Sequence, residues 1–375
     1  MNLLFILAAL LMLGIMVTVH EAGHFMAARM TGIPVQEFSI GFGPKLLSWK
    51  SKKHDTQFSL RVFPAGGYCM FYGEDSTDEK AVKEDPRAIG HYAVWRRMIT
   101  IFMGPMMNFI LALVVATALY GMIGEDTKGY YADYPSVAAV DPDGAAAQAD
   151  TPLQPGDFII AVNGEDTLGV TEDQTALKLT SLLDRYGSEG NPLTLTARRN
   201  GETFSFQITP RYNEQLGRYL MGVSLLSGYQ PVYTPISLFR AVDLGAKYCV
   251  TAGGAILNSL KNLVTTGAGF DQTSGPVGVV QLIAEETQRS AADSAREAVI
   301  TYGELLVMIS VNLGLFNLLP IPGLDGSRIL FLLVEGIRRK PIPQKLESYI
   351  HLTGYVLLLG VMLIMTYRDI LRIFR

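Results

Sequence analysis

A chain of 375 residues is too long for one ordinary small domain, and its 49% apolar content sits with a mean hydropathy of only +0.24. That mixture points to apolar blocks alternating with a soluble part. A net charge of −4 excludes a global basic footprint for nucleic acid, and the two cysteines, Cys69 and Cys249, exclude a disulfide framework or a cysteine-based metal site.

The first apolar stretch runs from Leu3 to about Met30 and carries no charge before His20 and Glu21. It lacks the basic start and the small-residue cleavage site of a secretory leader, so it reads as a membrane span. A second charge-free stretch runs from Met98 to Gly124, a third from about Leu305 to Val334, broken only by Asp325 and Arg328, and a fourth from Tyr349 to about Thr366. Each reaches the roughly 20 residues that a helix needs to cross a hydrocarbon core. Tyr248 to Leu260 is apolar but short, and Asp243, Lys247 and Lys261 around it suggest a helix lying at the interface.

Between the second and third stretches, about Gly129 to Gln230, the sequence changes character. Turn signals (Asp141-Pro142-Asp143-Gly144, Asn163-Gly164, Asn200-Gly201) separate short apolar or alternating runs such as Phe158–Val162 and Leu193–Ala197. Leu177, Leu179, Leu182 and Leu183 give Thr175 to Tyr186 a helical spacing. Strands around a helix in a segment of this length predict a small α+β domain.

Four spans put both termini on one side of the membrane. Lys45, Lys50, Lys52, Lys53, Arg61, Arg87, Arg96 and Arg97 lie between the first two spans, and Arg338, Arg339, Lys340 and Lys345 between the last two. The positive-inside rule places both loops in the cytoplasm and the central domain outside, against the pull of Arg368, Arg372 and Arg375.

The chemistry is concentrated in the first span. His20-Glu21-Ala22-Gly23-His24 fits H-E-x-x-H. On a helix, residues i and i+4 share a face, so both imidazoles can reach one ion. Glu21 lies about 100° round the axis, where it can serve as general base to a water polarised by Zn2+ without being a ligand. A polar helix end facing water is the alternative, but it leaves the third stretch unexplained. A catalytic zinc takes three protein ligands, and Asp325 is the obvious third. It follows Asn317-Leu318-Leu319-Pro320-Ile321-Pro322-Gly323-Leu324, where two prolines break helical hydrogen bonding. Irregular backbone at membrane depth is tolerated where it lines a wet cavity, so Asp325 is expected to face one.

H-E-x-x-H in the first span with N-x-x-P-x-P-x-x-D-G in a later one resembles the site-2 protease family of intramembrane metalloproteases. Within it, the sequence is similar to the bacterial proteases of anti-sigma factors that carry an extracytoplasmic PDZ domain. Supporting matches spread along the chain. Gly41-Phe42-Gly43 and Phe63-Pro64-Ala65-Gly66-Gly67-Tyr68 resemble the family's Gly-x-Gly loop and membrane-entering β-hairpin. Gly104-Pro105-Met106-Met107-Asn108 resembles the start of its second span, and Ser274-Gly275-Pro276-Val277-Gly278 a segment before the third. Leu153-Gln154-Pro155-Gly156-Asp157 with Val162-Asn163-Gly164 resembles a PDZ signature.

The resemblance implies a polytopic α-helical membrane protein of about four transmembrane helices with a membrane-associated β-hairpin and an inserted extracytoplasmic α+β PDZ-like domain. Residues 1–125 would hold the first two spans and the hairpin, 126–230 the PDZ-like domain, 231–300 interfacial helices and a linker, and 301–375 the last two spans. The place implied is a bacterial cell (inner) membrane. The reaction implied is hydrolysis of a peptide bond in or near the transmembrane helix of a single-span protein, such as an anti-sigma factor or a signal-peptide remnant. Such a helix must unwind first, and a strand edge could hold it extended. The stretch Phe63 to Phe71, turning at Gly66-Gly67 with Tyr68 after it, is the candidate edge. Asn312 and Asn317 are candidates for contact with substrate backbone or a developing oxyanion. Asn108 suits packing between helices at least as well. The PDZ-like domain could bind peptide ends or exclude large ectodomains. A catalytically silent PDZ scaffold is the competing function, against which Glu21 speaks. A transporter is a third, and the lack of inverted repeats speaks against it.

Overall fold

The computed structural model describes residues 2–52, 55–74, 84–126, 130–131, 134–142, 144–167, 178–187, 192–213, 218–226, 229–230, 233–267, 274–340 and 342–373. Lys53, Gly129, Asp143, Thr175, Leu177 and Arg375, named above, lie outside these. The chain divides into two compact units, Met1–Met122 with Ile236–Arg375, and Ile123–Pro235.

The first unit begins with helix α1 (Leu3–Thr31). The Asn2 side chain caps its start by accepting the Leu4 N–H, and Gly32 ends it in the left-handed conformation at φ 77°. Strands β1 (Val35–Lys50) and β2 (Gln57–Phe71) follow, then α2 (Val94–Ile123), which contains Pro105. After the second unit come α4 (Leu238–Thr266), α5 (Pro276–Asp293), α6 (Ala295–Leu318), α7 (Asp325–Arg338) and α8 (Gln344–Ile373). Among the described residues, four helices are long and apolar enough to cross a membrane: α1, α2, α6 and, within α8, Leu346–Arg372. The expected interface segment, Tyr248 to Leu260, lies inside the 29-residue α4, which is not one of the four.

Two expectations change in detail. The stretch Leu305 to Val334 is not one broken span. α6 stops at Leu318, residues 319–324 are irregular, and Asp325 is the first residue of a separate helix. Pro320 and Pro322 withhold backbone donors there, and Gly323 takes φ 99°. Gly326 then lets the chain double back on α6: a Cβ on it would stand 2.3 Å from the carbonyl oxygens of Leu318 and Leu319. Nor is Phe63 to Phe71 a hairpin of its own. Phe38 faces Cys69 on one side and Phe58 on the other, and Ser39 faces Tyr68 and Ser59. β1 and β2 each fold back, so Glu37–Ile40 lies between two stretches of β2. The corner falls between Phe63 and Gly67, where Gly66 (φ 136°) makes room for the Phe42 ring, and Gly67 already pairs with Ile40. Gly67–Phe71 is outermost: among the described residues, no further strand pairs with β2.

The helices of this unit are tied by specific polar contacts as well as an apolar core of Ala9, Met12, Met16, Ile283 and Leu306. The Tyr302 hydroxyl of α6 donates to the Ala8 carbonyl of α1 at 2.8 Å, and Ser310 Oγ to the Asn108 carbonyl of α2 at 2.9 Å. Asp369, 3% exposed, accepts the Gly275 and Gly278 N–H groups at 3.1 and 2.8 Å, so α8 caps the start of α5. This accounts for both glycines of the Ser274–Gly278 segment: a Cβ on either would meet the Asp369 carboxylate within 2.8 Å.

The second unit is α+β. Its main sheet runs β7–β3–β4–β5–β6, built from β3 (Ser136–Val140), β4 (Phe158–Val162), β5 (Leu193–Arg199), β6 (Glu202–Ile208) and β7 (Val223–Leu226), with helix α3 (Lys178–Gly187) alongside. Asn163-Gly164 and Asn200-Gly201 have positive φ at both residues, the geometry of two-residue hairpin turns that follow the twist of the strands. Leu179, Leu182 and Leu183 of α3 pack on Ile159, Val162, Leu195 and Phe206 to form its core. The Leu153–Asp157 turn is pinned by a bidentate pair in which Arg199 Nε and Nη2 each donate to Asp157 at 2.7 Å.

Candidate metal centre

Residues from three helices build the site. On α1, His20 and His24 stand one turn apart, each 7% exposed. On α7, Asp325 is brought to them by the turn of residues 319–324. One ligand atom from each lies within 4.8 Å of the others. Asp325 Oδ2 is 3.0 Å from His20 Nε2 and 3.4 Å from His24 Nε2, and the two Nε2 atoms are 3.2 Å apart.

The third helix, α2, supports the first two side chains. His24 Nδ1 donates to the Thr100 carbonyl at 3.0 Å, since a carbonyl can only accept. In the neutral ring this leaves the Nε2 lone pair pointing into the cluster. The next carbonyl along α2, that of Ile101, is the one Pro105 leaves without its helical donor. The imidazole of His24 lies against Gly104, where a Cβ would stand 2.3 Å from two ring atoms. Gly23 brings the helices close: its Cβ would stand 2.2 Å from the Met103 carbonyl oxygen.

Asp325 Oδ2 is buried and faces the Nε2 atoms of both histidines. With both Nε2 lone pairs turned inward, a buried carboxylate oxygen facing two ring nitrogens is costly by itself, and a cation between them would resolve it. Two imidazole nitrogens and one carboxylate oxygen form a donor set that suits zinc and leaves a fourth position open.

These residues wall a cavity of about 510 Å³ with Glu21, Tyr68–Phe71, Asn317, Arg328 and Tyr355. Glu21 is on the wall but outside the ligand cluster, and the Cys69 backbone N–H faces its carboxylate. Gly67 comes beside it, its Cβ position 3.7 Å from Glu21 Cγ. Of the two asparagines expected near substrate, Asn317 lines the cavity and Asn312 does not. They lie five residues apart on α6, which turns them to different faces. Gly66 and Gly67 do not line it either: Gly66 holds the corner under Phe42, and Gly67 packs on Ser39 of β1. Sequence reasoning missed Thr100 and the ion pair of Arg328 with Glu74 on the cavity wall. Arg328 stands out in the sequence as the second charge in its apolar stretch, but nothing there pairs it with Glu74.

The profile of peptidase family M50 matches residues 8–361. The chain is 32% identical over 95% of its length to a candidate zinc metalloprotease of Nostoc sp. (strain PCC 7120), covering 93% of that protein. It is 29% identical over 98% of its length to the regulator of sigma-W protease RasP of Bacillus subtilis, covering 99% of it, and 29% identical over 98% to the zinc metalloprotease RasP of Geobacillus kaustophilus, covering 98%. The chain belongs to peptidase family M50. It is a multi-pass membrane peptidase, as the resemblance to the site-2 proteases implied.

Proposed function

We propose that the chain is an intramembrane zinc endopeptidase in which His20, His24 and Asp325 hold the ion and Glu21 is the general base. The observation that carries this is the convergence of two ring nitrogens and a buried carboxylate oxygen beside a cavity that Glu21 also lines. Zinc held there would supply a Lewis acid that polarises the scissile carbonyl and acidifies water. Glu21 takes the proton of the attacking water and passes it to the leaving amine. Asn317, on the cavity wall, would donate its amide N–H to the substrate backbone or the developing oxyanion.

A transmembrane helix shields its peptide bonds, so it must be held unwound. The outward side of Tyr68–Phe71 offers a strand edge for this along the cavity wall. Substrates are single-span membrane proteins, of which anti-sigma factors and signal-peptide remnants are the classes the resemblance suggests. Residues 126–230 form a PDZ-like domain on the extracytoplasmic face of a bacterial inner membrane and contact substrate peptide or ectodomain. The lysine- and arginine-rich loops lie in the cytoplasm.

The test is co-expression with a tagged single-span substrate. Glu21→Gln is expected to accumulate like the wild type and to cleave at least about 100-fold more slowly. Unchanged cleavage would overturn the mechanism and favour the silent scaffold. His24→Ala and Asp325→Ala are each expected to lose most bound zinc on metal analysis of the purified protein. Normal zinc in Asp325→Ala removes it from the ligand set.

A further inference from the structure

One face of α2 carries Thr100, Gly104 and Asn108, four residues apart, opposite His20 and His24 on α1. Thr100 holds the far nitrogen of His24, and Gly104 gives its ring room. Asn108 stands in the matching place for His20: its amide Nδ2 lies 3.1 Å from His20 Nδ1. The side chain is 0% exposed, and its Oδ1 is buried without a hydrogen-bond partner. Ser310 of α6 fixes this turn of α2 by donating to the Asn108 carbonyl at 2.9 Å.

The orientation of the amide decides what His20 can do. With Nδ2 towards the ring, Asn108 donates to Nδ1, and the neutral imidazole must carry its hydrogen on Nε2. That N–H would point into the cluster and block ligation. Exchanging the amide oxygen and nitrogen leaves the heavy-atom positions unchanged. Oδ1 then accepts the Nδ1–H, and the Nε2 lone pair faces the ion. The amide atom turned away from the ring has no partner as placed, so the requirement at the ring settles the choice.

We propose that Asn108 is a positioning residue whose amide oxygen accepts the His20 Nδ1–H, so that His20 binds zinc through Nε2. It repeats for His20 what the Thr100 carbonyl does for His24. The inference rests on reading His20, His24 and Asp325 as zinc ligands. Partners that hold the far nitrogen of a ligating imidazole raise its basicity and fix its plane, and losing one weakens metal binding about 10- to 100-fold.

The experiment measures zinc affinity of the purified full-length protein by chelator competition, together with the melting temperature of the zinc-stripped form. Asn108→Leu keeps the size and removes the acceptor; it is expected to bind zinc about 10- to 100-fold more weakly. Asn108→Asp can accept but not donate, and it is expected to bind within a few-fold of the wild type. Asn108→Leu with wild-type affinity would overturn the proposal, because Asn108 would then only pack. A folded Asn108→Asp that binds zinc at least about 10-fold more weakly than the wild type would also overturn it, because Asn108 would then act as a donor; this arm decides the matter even where Asn108→Leu fails to fold. Failure of the wild type to bind zinc, or of His24→Ala to lose it, would sink the ligand reading instead.

Discussion

At the scale of single residues, the site depends on atoms that are missing. Gly104 has no side chain because the His24 ring occupies that space, with two ring atoms 2.3 Å from where a Cβ would stand. Gly104→Ala must push the ring off its line to Asp325, since a buried imidazole bonded to the Thr100 carbonyl has little room to yield. Its expected result is loss of most bound zinc on metal analysis, with near-normal accumulation in the membrane. Wild-type zinc content in this variant would show that the ring can move aside. The helical period alone makes His20, Glu21 and His24 legible in the sequence. Asp325 was legible only by context, as the acid that interrupts an apolar stretch. Thr100 and Asn108 were not legible as partners of the histidines, because their roles depend on the register of α2 against α1. No local pattern records that register.

At the scale of elements, the helices were easy to place and their breaks were not. Leu305 to Val334 reads as one apolar stretch, and only the sum of two prolines and a left-handed glycine ends α6 at Leu318 and restarts the chain at Asp325. The doubling of β1 and β2 was hidden for another reason: two positive-φ glycines, Gly41 and Gly43, and the corner at Gly66 redirect strands whose alternation looks continuous. The cap that Asp369 places on α5 joins elements far apart in sequence. Asp369→Ala removes two hydrogen bonds to a charged acceptor, each contributing about 1.5–3 kcal/mol. The expected outcome is a lower melting temperature in detergent and faster proteolysis after Ser274.

In the second unit, burial raises the Asp157 carboxyl, but the Arg199 guanidinium and the Gln154 N–H outweigh it and hold it below the usual carboxylate range. A depressed folded-state value means the pair's contribution is complete above the unfolded value, about pH 4, and is lost as pH falls through the lower folded one. Asp157 is 1% exposed, so Arg199→Met leaves a buried charge unpaired and should cost about 3 kcal/mol. Pulse proteolysis of the full-length protein near neutral pH should reveal this, and the gap between variant and wild type should close as the medium is acidified.

At the scale of the whole molecule, the proposed topology makes a labelling prediction. With Cys69 and Cys249 replaced, a cysteine at Ser181, which is exposed on α3, should react with an impermeant maleimide in intact cells, and one at Lys52 should react only after lysis. The reverse pattern would invert the orientation. The two units also differ in how they are assembled. The strands of the main sheet of the second unit mostly meet close neighbours in sequence, whereas the proposed zinc ligands join α1 to the start of α7. During synthesis, His20, Glu21 and His24 enter the bilayer long before Asp325 is made. A ribosome that stalls in between leaves two imidazoles without the proposed third ligand. On the proposed ligand set, proteolysis must wait until translation has passed Asp325, an order set by the chain itself.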